Sequence, residues 1–148
     1  MKFRARIPFA EWLGFELQRF DHVASEISVE LREALTNSWG VAHGGVTMTL
    51  LDVVMAHAAR APSEPGGEPQ TLSVVTVEMK TSFTRPGTGR LLGSGRLLHR
   101  SASLAFCEAS VTDADGKLVG HATGTFKYIR ALPVGDGGRR IQKLNASD

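Results

Sequence analysis

Residues 37–58 read NSWGVAHGGVTMTLLDVVMAHA. From Gly44 the run is apolar nearly all round, which predicts a helix over 44–60, buried on most of its sides. Asp52 stands in the middle of it, flanked by Leu50, Leu51, Val53, Val54 and Met55. An ionised carboxylate buried without partners is very costly, and even a neutral polar group left unpaired costs about 1–3 kcal/mol. Asp52 therefore lies on a narrow wet stripe, meets an arginine across an interface, or performs chemistry.

The helix start bears on that choice. His43-Gly44-Gly45 follows a loop and opens the helix. Glycine lets a ligand approach the backbone closely. The first amides of a helix have no internal acceptor and sit at the positive end of its dipole, which suits an anion or an oxyanion. The plainer reading is a tight turn with His43 on the surface. Gly44 and Asp52 are eight positions apart, or about 12 Å along a helix axis at 1.5 Å per residue. One chain cannot bring both to one reacting atom. Two antiparallel helices about a two-fold axis can, and a symmetric dimer would hold two such sites. If the site is catalytic, it is expected to be shared between subunits.

Outward from the helix, residues 8–14, PFAEWLG, predict a short helix ended by Gly14. Residues 15–21 and 23–34 alternate apolar and polar, with Val23, Ile27, Val29 and Leu31 among polar neighbours, and predict strands. Residues 35–43 form a loop, and 61–70, APSEPGGEPQ, must be another. Strands are expected over 71–84, 89–99, 102–112 and 117–129, with Asp113, Asp115 and Gly116 turning a hairpin. One long helix among strands that follow one another favours the α+β class, an antiparallel sheet wrapped around one long central helix. A single domain over 1–132 and a frayed, flexible tail from Pro133 complete the outline.

Composition excludes several classes. The 148 residues are 42% hydrophobic and 22% charged, and the net charge is +2, from 17 basic and 15 acidic residues. The basic residues are scattered, so no nucleic-acid footprint is expected. The lone Cys107, in LAFCEA, rules out an internal disulfide and reads as a buried small hydrophobe. No signal-peptide stretch and no apolar run of about 18 residues is present, so a cytoplasmic chain off the membrane is expected. The histidines show no metal-ligand spacing. His57 reads as an interface or core histidine and His121 as structural.

Asn37-x-x-Gly40-x-x-His43-Gly44-Gly45, then Leu50-x-Asp52, resembles the PaaI-like branch of the hotdog-fold acyl-CoA thioesterases. Leu13-Gly14, the strand ending in Phe83-x-Arg85-Pro86-Gly87, and His99-Arg100 followed by an Asp113-x-Asp115-Gly116 hairpin extend the likeness over roughly residues 8–128. Where many relatives carry Gly-Arg after the late His-Arg, this chain has Ser101-Ala102-Ser103. The resemblance implies a hotdog fold, a homodimer or a dimer-of-dimers tetramer, and hydrolysis of acyl-CoA to free acid and CoA without metal or organic cofactor. Asp52 matches the family's catalytic acid, acting as nucleophile or as general base on water. Gly44 matches the residue whose N–H polarises the thioester carbonyl. Asn37 and His43 match loop residues that orient the thioester or the water, and Thr76 falls where related enzymes carry a Ser or Thr facing the site. Gly45, Val46, Trp39, Met48 and Phe83 are candidates for the substrate-binding wall. Arg85 and Arg100, with Arg90 and Arg96, are candidates for the CoA phosphates.

Such chemistry needs little machinery. A thioester carbonyl is electrophilic and thiolate leaves readily, so one oxyanion donor and one carboxylate suffice. Aryl-, phenylacetyl- or medium-chain acyl groups would suit the wall. A non-catalytic acyl-CoA or acyl-carrier binding module on the same scaffold is the alternative, and the intact Asp52 speaks against it. A hotdog dehydratase would want a catalytic His paired with an acid at the helix start, which His43 and Asp52 fit less well.

Overall fold

The computed structural model describes residues 1–130. The expected tail lies outside the described residues. The chain forms α1 (Pro8–Leu13), β1 (Glu16–Phe20), β2 (Ser25–Glu30), a 3-10 turn (Glu33–Leu35), α2 (Gly44–Ala59), β3 (Ser73–Phe83), β4 (Arg90–Arg100), β5 (Leu104–Thr112) and β6 (Leu118–Ile129). The six strands make one antiparallel sheet in the order β1-β2-β4-β5-β6-β3. Helix α2 lies against it, which is the hotdog architecture. No helix among the described residues is long and apolar enough to cross a membrane.

Local chemistry explains the boundaries. Gly14 ends α1 in the left-handed conformation, φ 79°, where its N–H reaches back to Ala10 and Glu11. Strand β2 begins later than the alternation suggests. The Asp21 carboxylate accepts hydrogen bonds from the Val23 and Ala24 amides and turns the chain there. Val23 consequently stands exposed at the turn, and the inward positions of β2 begin with buried Ser25 and Ile27.

The core is the inner face of the sheet against one face of α2. Val46, Leu50, Leu51, Val54, Met55, Ala58 and Ala59 of the helix are buried. They meet Ile27, Val29, Leu91, Ala105, Cys107, Ala109, Val111, Ala122 and Phe126 of the strands. Helix and sheet approach so closely because β4 carries glycines on its inner face. A Cβ at Gly95 would lie 2.8 Å from the Val54 carbonyl oxygen, and one at Gly93 would lie 2.9 Å from Leu50 Cγ. Beside this slot the buried Ser25 hydroxyl donates to the same Val54 carbonyl at 2.6 Å. Burial pushes the Cys107 thiol up to about 12, consistent with a packing role.

The helix is less enclosed than its composition suggests. Asp52, Val53, Ala56 and His57 are only half-buried, and Met48 is exposed. This stripe faces the side of β3. Among the described residues strand β3 pairs with β6 alone, so its other edge faces no further strand. Val77, on this edge strand, is 56% exposed.

Candidate active site

The site divides between the start and the middle of α2. At the helix start, His43 is the N-cap, and its Nδ1 accepts the Gly45 N–H at 2.9 Å. With Nδ1 an acceptor, the ring hydrogen sits on Nε2. The second glycine of the pair has a local reason: a Cβ at Gly45 would lie 3.1 Å from His43 Nδ1. Gly44 differs. As the first helical residue it has no intrahelical acceptor, and among the described residues no loop carbonyl takes its N–H. The Phe83 ring covers it, 3.5 Å from where a Cβ would be. The helix start therefore offers one unpartnered backbone donor at the positive pole of α2.

The preceding loop is built around Asn37. Its side-chain carbonyl accepts the Trp39 amide at 2.9 Å and the Val41 amide at 3.4 Å, and its backbone N–H donates to Val41 O at 2.8 Å. Those bonds occupy the oxygen and leave the carboxamide NH₂ as the end that can donate to a ligand. His43 N–H to Leu35 O and Ala42 N–H to Gly87 O, both 2.9 Å, fasten the loop's exit to the rest of the fold. A cavity of about 330 Å³ opens beside the helix start, lined by His43, Gly45 and Val46 with Phe9, Trp12 and Thr49.

At mid-helix, Thr76 Oγ1 donates to Asp52 Oδ1 at 2.7 Å. Thr76 sits just before a bulge in β3, where the pairing with β6 shifts between Thr76 and Glu78. The bond leaves Oδ2 of Asp52 open. The sequence places these two residues 24 apart, and the fold joins them. Gly44 and Asp52 remain eight residues apart on one straight helix, so within one chain the donor and the carboxylate do not converge.

Other expected site residues fall elsewhere. Trp39 is 86% exposed at the loop tip and does not line the cavity at the helix start. Arg85 is exposed beyond the end of β3, with its backbone N–H on Val119 O. Arg100 is engaged within the chain. Its guanidinium donates to Tyr128 Oη, to Ser63 Oγ, and to the carbonyls of Ala59 and Ala61. It clamps the last turn of α2, where carbonyls lack helical partners and a cation is favoured. Arg96 pairs with Glu108, and the Arg96 hydrogen bond holds that carboxyl below its usual range. Arg90 bonds Ser28 Oγ at 3.0 Å.

Sequence reasoning missed a second cavity, of about 180 Å³, one turn beyond Asp52. It lies between α2, the start of β3 and the N-terminal segment, and Arg4, Arg6, His57 and Arg60 help to line it. His57 Nδ1 lies 2.8 Å from Val53 O, and Phe3 and Phe20 pack edge-on against its ring. Arg60 is far in sequence from Arg4 and Arg6, so no local cluster announced the three together. Among the described residues no group of three His, Cys, Asp or Glu side chains is placed to hold a metal ion.

Residues 40–120 match the thioesterase superfamily. The medium/long-chain acyl-CoA thioesterase YigI of Salmonella typhimurium is 26% identical over 131 residues, covering 81% of this chain and 84% of YigI. The structure of the conserved protein PA5202 from Pseudomonas aeruginosa superposes with a TM-score of 0.75 at 28% identity, over 85% of this chain and 97% of that one. The PaaI protein from the phenylacetic acid degradation operon of Escherichia coli shares the fold, with a TM-score of 0.73 at 20% identity over 82% and 83% of the two chains.

Proposed function

The chain belongs to the thioesterase superfamily, and on that footing we propose that it hydrolyses acyl-CoA thioesters to free acid and CoA, at sites shared by two copies of the chain. The observation that carries the reading is the pair of half-sites on α2. One is an unpartnered Gly44 N–H at the helix start, and the other is the Asp52 carboxylate, held by Thr76 at mid-helix.

Two copies complete a site when their β3 edges pair antiparallel about a two-fold axis. The bare edge and exposed Val77 favour such pairing, and it sets the helices antiparallel. Asp52 of one copy then faces the helix start of the other. The Gly44 N–H stabilises the oxyanion that forms as the thioester carbonyl is attacked. Asp52 acts through Oδ2, either on the carbonyl carbon itself, giving a mixed anhydride that water opens, or by taking a proton from an attacking water. In both routes the C–S bond breaks and CoA leaves as thiolate. His43 and the Asn37 carboxamide stand where they can orient the thioester or the water, and Val46 and Phe83 wall the helix start. No metal or organic cofactor enters either route. The relation to YigI supports an acyl-CoA substrate, and aryl, phenylacetyl and medium-chain acyl groups are the candidates for the acyl moiety.

The test is CoA release from an acyl-CoA panel by wild type and Asp52→Asn. The variant is expected to lose about 100-fold or more in kcat while still binding CoA esters. Binding by both without turnover by either would instead establish a binding module on this scaffold. Full activity in a monomer would sink the shared site. A single turnover in ¹⁸O-water bears on the routes: label in Asp52 establishes attack by the carboxylate, through an anhydride that water opens at the Asp52 carbonyl.

A further inference from the structure

The cavity beyond Asp52 continues from the catalytic pair. Asp52 and Ala56 share a face of α2, Thr76 and Val74 share a face of β3, and Ala56 and Val74 both line the cavity. The cavity is also cationic: Arg4 and Arg6 of the N-terminal segment and Arg60 at the end of α2 line it, and among the described residues no carboxylate does. Arg6 is paired outside the lining set with Glu11, at 3.4 Å, and Arg4 lies 5.9 Å over the Phe20 ring. Arg60 is half-buried and uses two of its five N–H donors on Leu72 O (3.0 Å) and Gln70 O (3.3 Å). Burial, and then the nearby Arg4 charge, lower Arg60 from the usual guanidinium value. Like charges gathered against a mostly apolar wall favour the arrival of an anion.

We propose that this cavity receives the far end of the acyl group and that this end is a carboxylate, so that the substrate is the CoA monothioester of a short dicarboxylic acid. This rests on the thioesterase reading and narrows it. Distance supports the acyl end. Arg60 is eight residues from Asp52, about 12 Å along the axis, and helical side chains lean back toward the N-terminus. Size supports it too: about 180 Å³ holds roughly six non-hydrogen atoms at ~30 Å³ each, a short acyl tail and not a nucleotide. The planar fork of Arg60 is suited to a carboxylate, and Arg4 adds a second charge on the solvent side.

The test uses S-alkyl-CoA thioethers, which are not hydrolysed, in pairs of equal chain length that end in methyl or in carboxylate. Binding is measured by calorimetry to wild type, Arg60→Gln and Arg4→Gln. At the best length the carboxylate member is expected to bind wild type about ten-fold tighter or more, and this ratio is expected to collapse toward one in both variants. Arg4→Gln alters an exposed side chain and keeps the test decisive if Arg60→Gln disturbs the Gln70–Leu72 segment. A ratio near one in wild type overturns the proposal. So does a ratio that survives in both variants while both members weaken together, which would mean that the arginines meet CoA phosphates. S-alkyl-pantetheines, lacking the nucleotide, would then lose the arginine effect. Turnover of the matching thioesters is read separately. Preference without turnover upholds the cavity and sinks the thioesterase reading, and turnover without preference does the reverse.

Discussion

The Thr76 hydroxyl donates to Asp52 Oδ1 across 2.7 Å, so the edge strand holds the one carboxylate in the middle of α2. Thr76→Val removes the donor and keeps the shape. It is expected to lower kcat about ten-fold, the equivalent of one hydrogen bond of about 1.4 kcal/mol, with KM little changed. Steady-state kinetics on the best acyl-CoA checks this. A variant as dead as Asp52→Asn would give Thr76 a larger part than orientation.

Gly44→Pro isolates the backbone donor. Proline is tolerated at the first helical position, where its missing N–H has no helical acceptor. His43, with φ −60° and ψ 136°, already has the extended conformation that a residue before proline needs. The variant is expected to fold, with a melting temperature near that of wild type, and to lose about 10²–10³ in kcat. Retained activity would remove Gly44 from the mechanism.

Arg100→Leu is expected to destabilise the chain by about 2–3 kcal/mol, because a charged donor is withdrawn from the carbonyls of Ala59 and Ala61. Denaturant unfolding measures it. KM for CoA esters in the folded variant is expected to stay within about three-fold of wild type, a difference under 1 kcal/mol. A large rise in KM without loss of stability would restore Arg100 as a phosphate contact.

Cys107 gives the pH dependence. In the fold, burial pushes its thiol up to about 12, from an ordinary value of 9.0. The folded state therefore holds a proton that the unfolded state releases. The contribution to stability is full below pH about 9 and declines from there toward about 12. Unfolding of Cys107→Ala across that window is expected to lack this part of the slope. Native protein is also expected to resist thiol reagents until it unfolds.

Much of the fold was legible because periodicity reports burial. The helix and all six strands lie where apolar patterning put them, within a few residues. The errors have local causes. Val23 continued an alternation that the Asp21 turn interrupts, and side-chain capping is not visible as a hydrophobic period. The closeness of helix and sheet depended on Gly93 and Gly95, which in GRLLGSGRLLH read only as small residues in a strand. At the site, Asp52 stood out as a carboxylate in an apolar helix, and Thr76 followed from the resemblance. The carbonyl and hydroxyl partners of Arg100 were not legible, because a sequence shows a charge and not its acceptors. Arg4, Arg6 and Arg60 were invisible as a group because only the packing of the N-terminal segment on α2 assembles them.

The eight-position spacing of Gly44 and Asp52 has a genetic consequence. In the proposed dimer each helix contributes an amide to one site and a carboxylate to the other, so the two halves are inherited together but work apart. A chain carrying Asp52→Asn and a chain carrying Gly44→Pro are each inactive with themselves. Co-expressed, they form mixed dimers in which one site inherits both lesions and the other inherits none. Two null alleles are thus expected to complement, up to half the activity of a wild-type dimer in every mixed pair.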